Sequence, residues 1–264
     1  MLYNPTMRIL VTNDDGVFSP ALAALVRAAM DFGEVAVAAP VGQQSACGHG
    51  LTVHGVVEVE AVDLGLPVAA WAVHGTPADC VKIAWRELLN ERPDLVLSGI
   101  NLGANIGINA LYSGTVAGAA EAVILGAPAA AFSIETVAGV DNDLAAAERW
   151  TRALLGGLLG AGALDGRGFC NINYPRGCSC TPAGVRVARQ CDSTVYERYE
   201  RLDDHSGRRR YRLTGDYGFH DPAADTDAAA IAEGYITLTP MAIDLSAHRR
   251  LEFLEGISFD YFNR

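Results

Sequence analysis

Two adjacent carboxylates, Asp14 and Asp15, stand directly after a short apolar run near the start of the chain. Neighbouring carboxylates repel each other unless a cation or a proton relieves the repulsion. Gly16 frees the backbone to turn there, and a helix predicted to begin near Ser19-Pro20 would bring its positive end close. An Asx-type turn that caps this helix explains the pair taken alone. The alternative is a site for a divalent cation.

A second polar segment, Ser98-Gly99-Ile100-Asn101, ends a later apolar run and leads into a glycine-rich stretch at residues 103–107. Asparagine side chains supply neutral oxygen ligands to hard cations such as Mg²⁺, Mn²⁺ or Ca²⁺. Glycines let backbone amides approach a phosphate closely. A plain glycine-rich turn is the simpler explanation of this segment when it is considered alone.

Ser113, Gly114 and Thr115 stand where a loop passes into a predicted helix of small residues that ends at Leu125. Hydroxyls and free amides at a helix N-terminus form an anion site, and an ordinary helix cap is the alternative. The segment is not a P-loop, because no Lys follows the glycine in the required place. Ser45, in the loop after the second predicted strand, is by itself only a loop serine.

Apolar runs alternate with helical segments through the first half of the chain, which predicts a parallel sheet covered by helices on both faces. Ligands of such sheets bind beyond the carboxyl ends of the strands, where all of these polar segments fall. A divalent cation beside a phosphate accounts for all of them together. The predicted strands are residues 7–12, 34–39, 51–62, 70–73, 94–98 and 129–133.

The second half of the chain follows a different pattern. Strands are predicted near 168–174 and 185–189, and residues 190–222 turn polar, with six arginines between Arg198 and Arg212. We expect an extended hairpin that leaves the main body there. The organisation expected is a Rossmann-like core at 7–189, followed by a hairpin arm and C-terminal oligomerisation elements at 190–264 that partly return to the core.

Composition restricts the class of protein. Half of the 264 residues are apolar, 19% are charged and the net charge is −11, which is typical of a globular protein and argues against a nucleic-acid or anionic-membrane binder. No apolar run of transmembrane length is present, and the first residues lack the pattern of a secretion signal. The six cysteines fit buried thiols in a reducing compartment. We therefore expect a cytoplasmic protein.

Other catalytic schemes fit the sequence less well. A dinucleotide-binding dehydrogenase would need a three-glycine turn where this chain has Asp14-Asp15-Gly16. A serine hydrolase would need a Gly-x-Ser-x-Gly elbow, which is absent. Cys178 and Cys180 are too closely spaced for an ordinary zinc pair. His49, which shares the loop of Ser45, is the histidine expected nearest the site.

Taken together, these residues resemble the SurE-type survival proteins, a family of metal-dependent nucleoside monophosphate phosphatases. The similarity follows the order of the family's motifs from about residue 7 to residue 250. The matching stretches are residues 8–16, 75–81, 93–101, 103–107, 112–117, 226–240 and 244–248.

The resemblance implies a Rossmann-like fold and one divalent ion per subunit, Mg²⁺ or Mn²⁺, with Ca²⁺ as a substitute in crystals. It implies activity on 5'-nucleotides, on 3'-nucleotides and on short polyphosphate. It also implies a homodimer or homotetramer with exchanged C-terminal arms. The metal ligands that it implies are Asp14, Asp15, Ser45 and Asn101.

The chain departs from the family in the loop before Ser45. Family members carry an Asp-Arg-Asn-Arg-like stretch where this chain has Val41-Gly42-Gln43-Gln44, which removes two positive side chains near the expected substrate. The departure affects substrate preference more than metal binding. Arginines of the 198–212 region, from the same or a neighbouring subunit, could replace the charge, although a solvated hairpin face is the simpler explanation.

The expected reaction is hydrolysis of a phosphate monoester by metal-activated water. Asp14 or Asp15 would hold the metal and orient or deprotonate the water, while Asn101 and the residues 113–115 would grip the phosphate oxygens. An aspartyl-phosphate on Asp14 is a second route. Two further alternatives are a phosphatase of non-nucleotide esters and a non-catalytic module that binds metal or nucleotide.

Overall fold

Short apolar strands of the kind predicted build the centre of the computed structural model, which describes residues 6–137, 139–176, 181–193 and 195–257. Within these ranges nine strands form one sheet in the order β3-β4-β2-β1-β5-β6-β7-β11-β8, and two strands pair separately. The strands are β1 (Arg8–Thr12), β2 (Glu34–Pro40), β3 (Val59–Ala61), β4 (Ala69–Val73), β5 (Leu95–Leu102), β6 (Ala129–Ile134), β7 (Phe169–Tyr174), β8 (Val185–Val187), β9 (Val195–His205), β10 (Arg208–Phe219) and β11 (Ile236–Met241).

The helices begin where capping residues predict. Ser19, Thr76 and Ser113 each accept a hydrogen bond from a backbone amide of the first helical turn. None of the described helices is long and apolar enough to cross a membrane. The helices are α1 (Pro20–Ala29), α2 (Pro77–Ile83) with a π-helical turn (Ala84–Leu88), α3 (Gly114–Leu125) after a 3-10 turn (Gly107–Tyr112), α4 (Leu144–Gly160), α5 (Asp227–Ala232) and α6 (His248–Glu255).

The sheet is covered on both faces, because alternate residues of its central strands point to opposite sides. Ile9 and Val11 of β1 pack in one apolar layer with α1 and α4, whereas Leu10 packs in the other layer with α2 and α3. The pairs of β1 with β2 and β5, of β2 with β4, and of β5, β6 and β7 in sequence are all parallel. The predicted α/β fold class is confirmed.

The strand order predicts a crevice at the carboxyl ends of the central strands. From β1 the chain first extends the sheet through β2 and β4 on one side, and it then returns to add β5, β6 and β7 on the other side. The order of the strands therefore reverses between β1 and β5. Ligands of open parallel sheets bind at this point, beyond the carboxyl ends of the strands.

Residues 195–219 form the hairpin expected in the polar region. Strands β9 and β10 pair antiparallel with each other and with no strand of the main sheet in the part of the chain described. The foot of the hairpin reaches the core, since the ring of Phe219 lies against Gly107 and would be 2.4 Å from a Cβ placed there.

The strand predicted at 51–62 is wrong in its extent, because only Val59–Ala61 is a strand. Polar bonds fix the earlier part instead: Thr52 is held by Asp79, and the Gly50 carbonyl accepts from Thr76. The strand predicted at 94–98 continues to Leu102, so that Asn101 lies within β5. The C-terminal elements expected within 190–264 lie partly outside the described residues, which end at 257.

Asp79, in the first turn of α2, is the basis of a stability prediction. Its carboxylate accepts bonds from the amides of Thr52 and Thr76 and from the Thr52 hydroxyl, at 2.7–3.0 Å. Burial raises its pKa, but these bonds outweigh burial and hold the pKa below the ordinary 3.8. We expect Asp79→Ala to lower the free energy of unfolding in urea at pH 7 by about 2–3 kcal/mol.

A matched control is Asp143→Ala, which removes one N-cap bond at the start of α4 and should cost about 1 kcal/mol. A lowered folded-state pKa gives stability that is present above the unfolded pKa and is lost as the pH falls through the folded pKa. The difference between Asp79→Ala and the wild type should therefore shrink below pH 3.8. Equal losses in the two variants at pH 7 would contradict this assignment.

Candidate active site

Asp14 lies at the carboxyl end of β1, where its carboxylate is buried at 6% exposure. Thr115, in the first turn of α3, donates from its hydroxyl to Oδ1 at 2.6 Å and from its amide to Oδ2 at 3.2 Å. Burial raises the pKa of Asp14 to about 6 against the lowering effect of these bonds, and the charge of Asp15 adds to the rise. The protein thus holds a costly buried charge in a fixed orientation.

Asp15 is partly buried beside it. Its Oδ2 accepts from the backbone amide of Leu102 at 3.1 Å, and burial raises its pKa above the ordinary value. Among the described residues, neither Asp14 nor Asp15 forms an ion pair with Lys, Arg or His. Two close carboxylates without a positive partner are the donor set that a hard cation stabilises.

Asn101 lies near the end of β5 and is oriented by its own loop. Its Nδ2 donates to the Gly103 carbonyl at 2.5 Å. Because an amide group has one donor end and one acceptor end, this bond directs Oδ1 away from Gly103. The oxygen end of Asn101 is therefore the end available to a cation.

Ser45 is exposed on a loop that is fastened on both sides of it. Before it, the Gln44 amide donates to the Asp14 carbonyl at 2.7 Å; after it, the Gly48 amide donates to the Tyr112 carbonyl at 2.9 Å. The structure thus brings the Ser45 loop against both the Asp14 turn and the segment before α3. Its ligand role stays a prediction.

The same loop is fixed through Glu121, which the sequence did not indicate as a residue near the site. His49 Nε2 lies 2.8 Å from Oε2 of Glu121, a carboxylate of α3 that is only 2% exposed, and Lys82 Nζ lies 2.5 Å from the other oxygen. His49 is engaged there with Glu121. A single Glu in a helix otherwise made of small and apolar residues was the available signal.

The start of α3 lies close against Asp14 because small residues allow it. A Cβ at Gly114 would lie 2.9 Å from the Asp14 Cβ, and one at Gly118 would lie 2.9 Å from Ser98 Oγ. In the first turn of α3, the amides of Thr115 and of the two residues after it have acceptors. In the described structure the Gly114 amide has no acceptor. The Ser113 hydroxyl oxygen accepts a hydrogen bond from the Val116 amide, so the hydroxyl proton remains available to donate.

A cavity of about 480 Å³ lies beside the site, between the loop after β2 and the loop after β4. Its wall packs on the turn at residues 14–16, since a Cβ at Gly16 would lie 3.3 Å from the Gly42 Cα. Among the residues that line it there is one imidazole, His74, and no Lys or Arg. The lining residues are Val41, Gly42, Gln44, Thr52, Val73, His74, Gly75 and Thr76.

The donor set of the site fits one hard divalent cation. Within the described residues, no cluster of three or more His, Cys, Asp or Glu side chains could hold a metal. A metal site here would combine two carboxylates with neutral oxygens, such as the Asn101 amide and the Ser45 hydroxyl. Such oxygen ligands suit Mg²⁺, Mn²⁺ or Ca²⁺ rather than zinc.

The sequence of this site matches a known family. The family model described as survival protein SurE matches residues 9–197. The chain belongs to the SurE family. It is 43% identical over 248 residues to a protein of Moorella thermoacetica named 5'-nucleotidase SurE. The aligned region covers 91% of this chain and 92% of the relative.

Further SurE relatives agree in sequence and in fold. A Thermus thermophilus protein named 5'-nucleotidase SurE 1 is 41% identical over 264 residues, covering 95% of this chain and 98% of the relative. The crystal structure of a SurE protein from Aquifex aeolicus superposes with a TM-score of 0.79 at 32% identity, and the match covers 97% of this chain and 100% of that chain. The resemblance to SurE proteins that the motifs indicated is confirmed.

The buried charge of Asp14 predicts an unusual mutational effect. A raised folded-state pKa gives stability that is present below the unfolded pKa and is lost as the pH rises through the folded pKa, about 6. In chelator at pH 8, Asp14→Asn should therefore raise the Tm, by roughly 2–4 °C for each kcal/mol of repulsion relieved. The two proteins should converge near pH 4.

Added Mn²⁺ should raise the Tm of the wild type and leave that of Asp14→Asn unchanged. The control is Asp94→Asn, because hydrogen bonding to Arg8 lowers the pKa of Asp94. Neutralising Asp94 should lower the Tm at pH 8. A lower Tm for Asp14→Asn in chelator would show that the Asp14 charge is not a cost to the metal-free fold.

Proposed function

We propose that this SurE protein is a metal-dependent 5'-nucleotidase that hydrolyses nucleoside monophosphates to nucleoside and phosphate. Membership of a family whose named members are 5'-nucleotidases makes the chain a phosphomonoester hydrolase. The observation that carries the proposal is the contact between Gly114 and Asp14, which sets a helix N-terminus directly beside two unpaired carboxylates. A cation and a phosphate can be bound there side by side.

Asp14, Asp15, Asn101 and Ser45 are the residues that would hold the cation. When bound, a divalent ion polarises the phosphoryl group and lowers the pKa of water. Mg²⁺ or Mn²⁺ suits this oxygen set, and Ca²⁺ could replace either in crystals.

The two carboxylates differ in what they can do for a proton. Both oxygens of Asp14 accept hydrogen bonds from Thr115, which fix the orientation of the carboxylate. This arrangement suits a metal ligand better than a nucleophile that must move to attack phosphorus. Asp15 uses only Oδ2, for the Leu102 amide, among its described contacts. Asp15 Oδ1 is thus the atom placed to accept the proton of an attacking water.

The phosphate oxygens would bind at the start of α3. The Gly114 amide and the Ser113 hydroxyl are the free donors there, and the helix dipole favours a negative charge at this end. Thr115, expected among the phosphate contacts, directs both donors to Asp14, which supports a role in holding Asp14. Asn101 would present its oxygen to the cation rather than to the phosphate.

The neutral cavity supports a nucleoside as the leaving group. It lies next to the metal turn, it holds no Lys or Arg among its described lining, and its one basic side chain is His74. A nucleoside is uncharged, whereas a polyphosphate leaving group carries several negative charges that this wall does not neutralise. We propose that polyphosphate is a poor substrate, and that 3'-nucleotides, which release the same uncharged nucleoside, are substrates as well.

Oligomerisation through the hairpin is part of the proposal. Tyr199, Tyr211 and Leu213 share one hairpin face by strand alternation and are 42–71% exposed. Helix α6 exposes Phe253 similarly. Apolar patches of this kind are typical of interfaces, and light scattering would measure whether a homodimer or homotetramer forms.

Phosphate release is the direct test of the proposed function. The panel contains nucleoside 5'- and 3'-monophosphates, a sugar phosphate, polyphosphate and an aryl phosphate, each with Mg²⁺, Mn²⁺ or chelator. We expect metal-dependent release that favours 5'-nucleotides and is abolished in Asp14→Asn.

Release from the aryl phosphate alone would support hydrolysis of phosphate monoesters and reject nucleotides as the substrate. Silence across the panel, in protein shown to bind Mn²⁺, would support a non-catalytic binding module. Full activity of Asp14→Asn would remove Asp14 from the mechanism.

The cavity wall yields a gain-of-function prediction. Gln44 lines the cavity and Gln43 does not. Gln44→Arg should lower the KM for polyphosphate by roughly threefold to tenfold relative to 5'-nucleotides, because one charged contact contributes about that much. Gln43→Arg, with the same change of charge one residue away, should leave the ratio unchanged. Equal effects of the two variants would show a general charge effect and reject the cavity as the leaving-group site.

A further inference from the structure

The glycine-rich loop at 103–107 rests on two asparagines of the second half of the chain. The Asn105 amide donates to Oδ1 of Asn173 at 2.7 Å, and the Asn105 carbonyl accepts from Nδ2 of Asn171 at 2.7 Å. Both backbone groups of one loop residue are thus bound by side chains of one strand, β7.

These asparagines are expensive in a sheet interior unless they are used. Asn171 and Asn173 are both 0% exposed, and they point to the α3 face of the sheet, as does Phe169. Ser133 on the neighbouring strand β6, also fully buried, accepts from Nδ2 of Asn105 at 2.8 Å. Buried polar groups cost free energy unless they are hydrogen-bonded. The bonds to the loop satisfy Asn173 Oδ1 and Asn171 Nδ2, whereas Asn171 Oδ1 has no partner among the described residues.

Both ends of the loop are fixed in the same way. The Gly103 amide donates to the Ile134 carbonyl at 2.9 Å. At the other end, the Gly107 amide donates to Oδ2 of Asp227 at 2.9 Å, and its carbonyl accepts from Nε2 of Gln190 at 2.8 Å. The loop is therefore held at every second residue, like an additional strand.

The held loop is what orients two groups of the cation site. The Gly103 carbonyl accepts the bond that sets the Asn101 amide, at 2.5 Å, and the Leu102 amide binds Asp15 at 3.1 Å. Leu102 and Gly103 are also paired with Ile134 of β6, so the bonds of Asn105 to β7 act on them by fixing the direction in which the chain continues. Without those bonds the loop after Gly103 can shift, and we expect the directions of the Asn101 oxygen and the Asp15 carboxylate to be less tightly fixed.

We propose that Asn171 and Asn173 are positioning residues of the cation site, which act through Asn105 on the direction of Asn101 and Asp15. The proposal rests on the proposed function, since it assigns the cation to that site. It places the source of the ligand geometry on β7, outside the loops that carry the ligands. Outer groups that orient ligands commonly contribute 10–100-fold to metal affinity or activity.

The test compares Mn²⁺ affinity, measured by calorimetry on the purified full chain, with kcat and KM for a nucleoside 5'-monophosphate. Asn171→Leu and Asn173→Leu keep the side-chain volume and remove the bonds to Asn105. We expect each to weaken Mn²⁺ binding by 10–100-fold and to lower kcat at saturating metal. The Ser133→Ala variant removes one bond with little change of volume, and it should weaken Mn²⁺ binding by about threefold to tenfold even if the Leu variants do not fold.

The matched control is Thr151→Val, which removes a buried bond to the Tyr174 hydroxyl, 2.6 Å long. Thr151 belongs to α4, on the other face of the sheet. It should lower the Tm by a similar amount and leave Mn²⁺ affinity unchanged. Wild-type Mn²⁺ affinity in folded Ser133→Ala and Asn171→Leu, or an equal loss in Thr151→Val, would overturn the proposal. A wild type that binds Mn²⁺ but releases no phosphate would reject the proposed function alone, because the affinity comparison would still decide the positioning role.

Discussion

The buried negative charge of Asp14 is the constraint on which the rest of the site depends. A carboxylate that is 6% exposed loses most of its hydration, and Asp15 beside it adds repulsion. The fold offsets this with two donors from Thr115 and with the start of α3, which Gly114 and Gly118 allow to approach closely. The remaining repulsion between the two carboxylates is the interaction that a divalent cation could relieve.

Most of the scaffold follows from local rules of sequence. The buried runs that became β1, β5 and β6, and the caps at Ser19 and Thr76, were readable because strand burial and N-capping act over a few residues. The segment 51–62 was not, since its β-branched residues predict a strand, while the bonds of Thr52 to Asp79 come from 27 residues away. In this segment a tertiary contact overrides the local strand propensity.

The site divides in the same way. Asp14, Asp15 and Asn101 could be predicted, because they follow strands whose carboxyl ends must share one edge. Glu121 and Asn171 could not, since a helix or strand pattern shows only that they interrupt an apolar face. Whether such a polar residue weakens the packing or forms a specific hydrogen bond depends on a partner 66–72 residues distant in sequence. The contact of Asn171 with Asn105 joins a strand of the second half of the chain to a loop of the first half, and no local pattern predicts it.

The neutral 41–44 loop changes how charge is balanced when substrate binds. Two carboxylates carry two negative charges, a divalent ion cancels them, and a phosphate monoester then adds up to two more. No Lys or Arg among the described residues lines the adjacent cavity. In the proposed site, the cation and the start of α3 would therefore have to offset the phosphate charge. Under the proposed function, metal and phosphate would therefore depend on each other more than in a site lined by arginines, because without the metal the phosphate would face two unneutralised carboxylates.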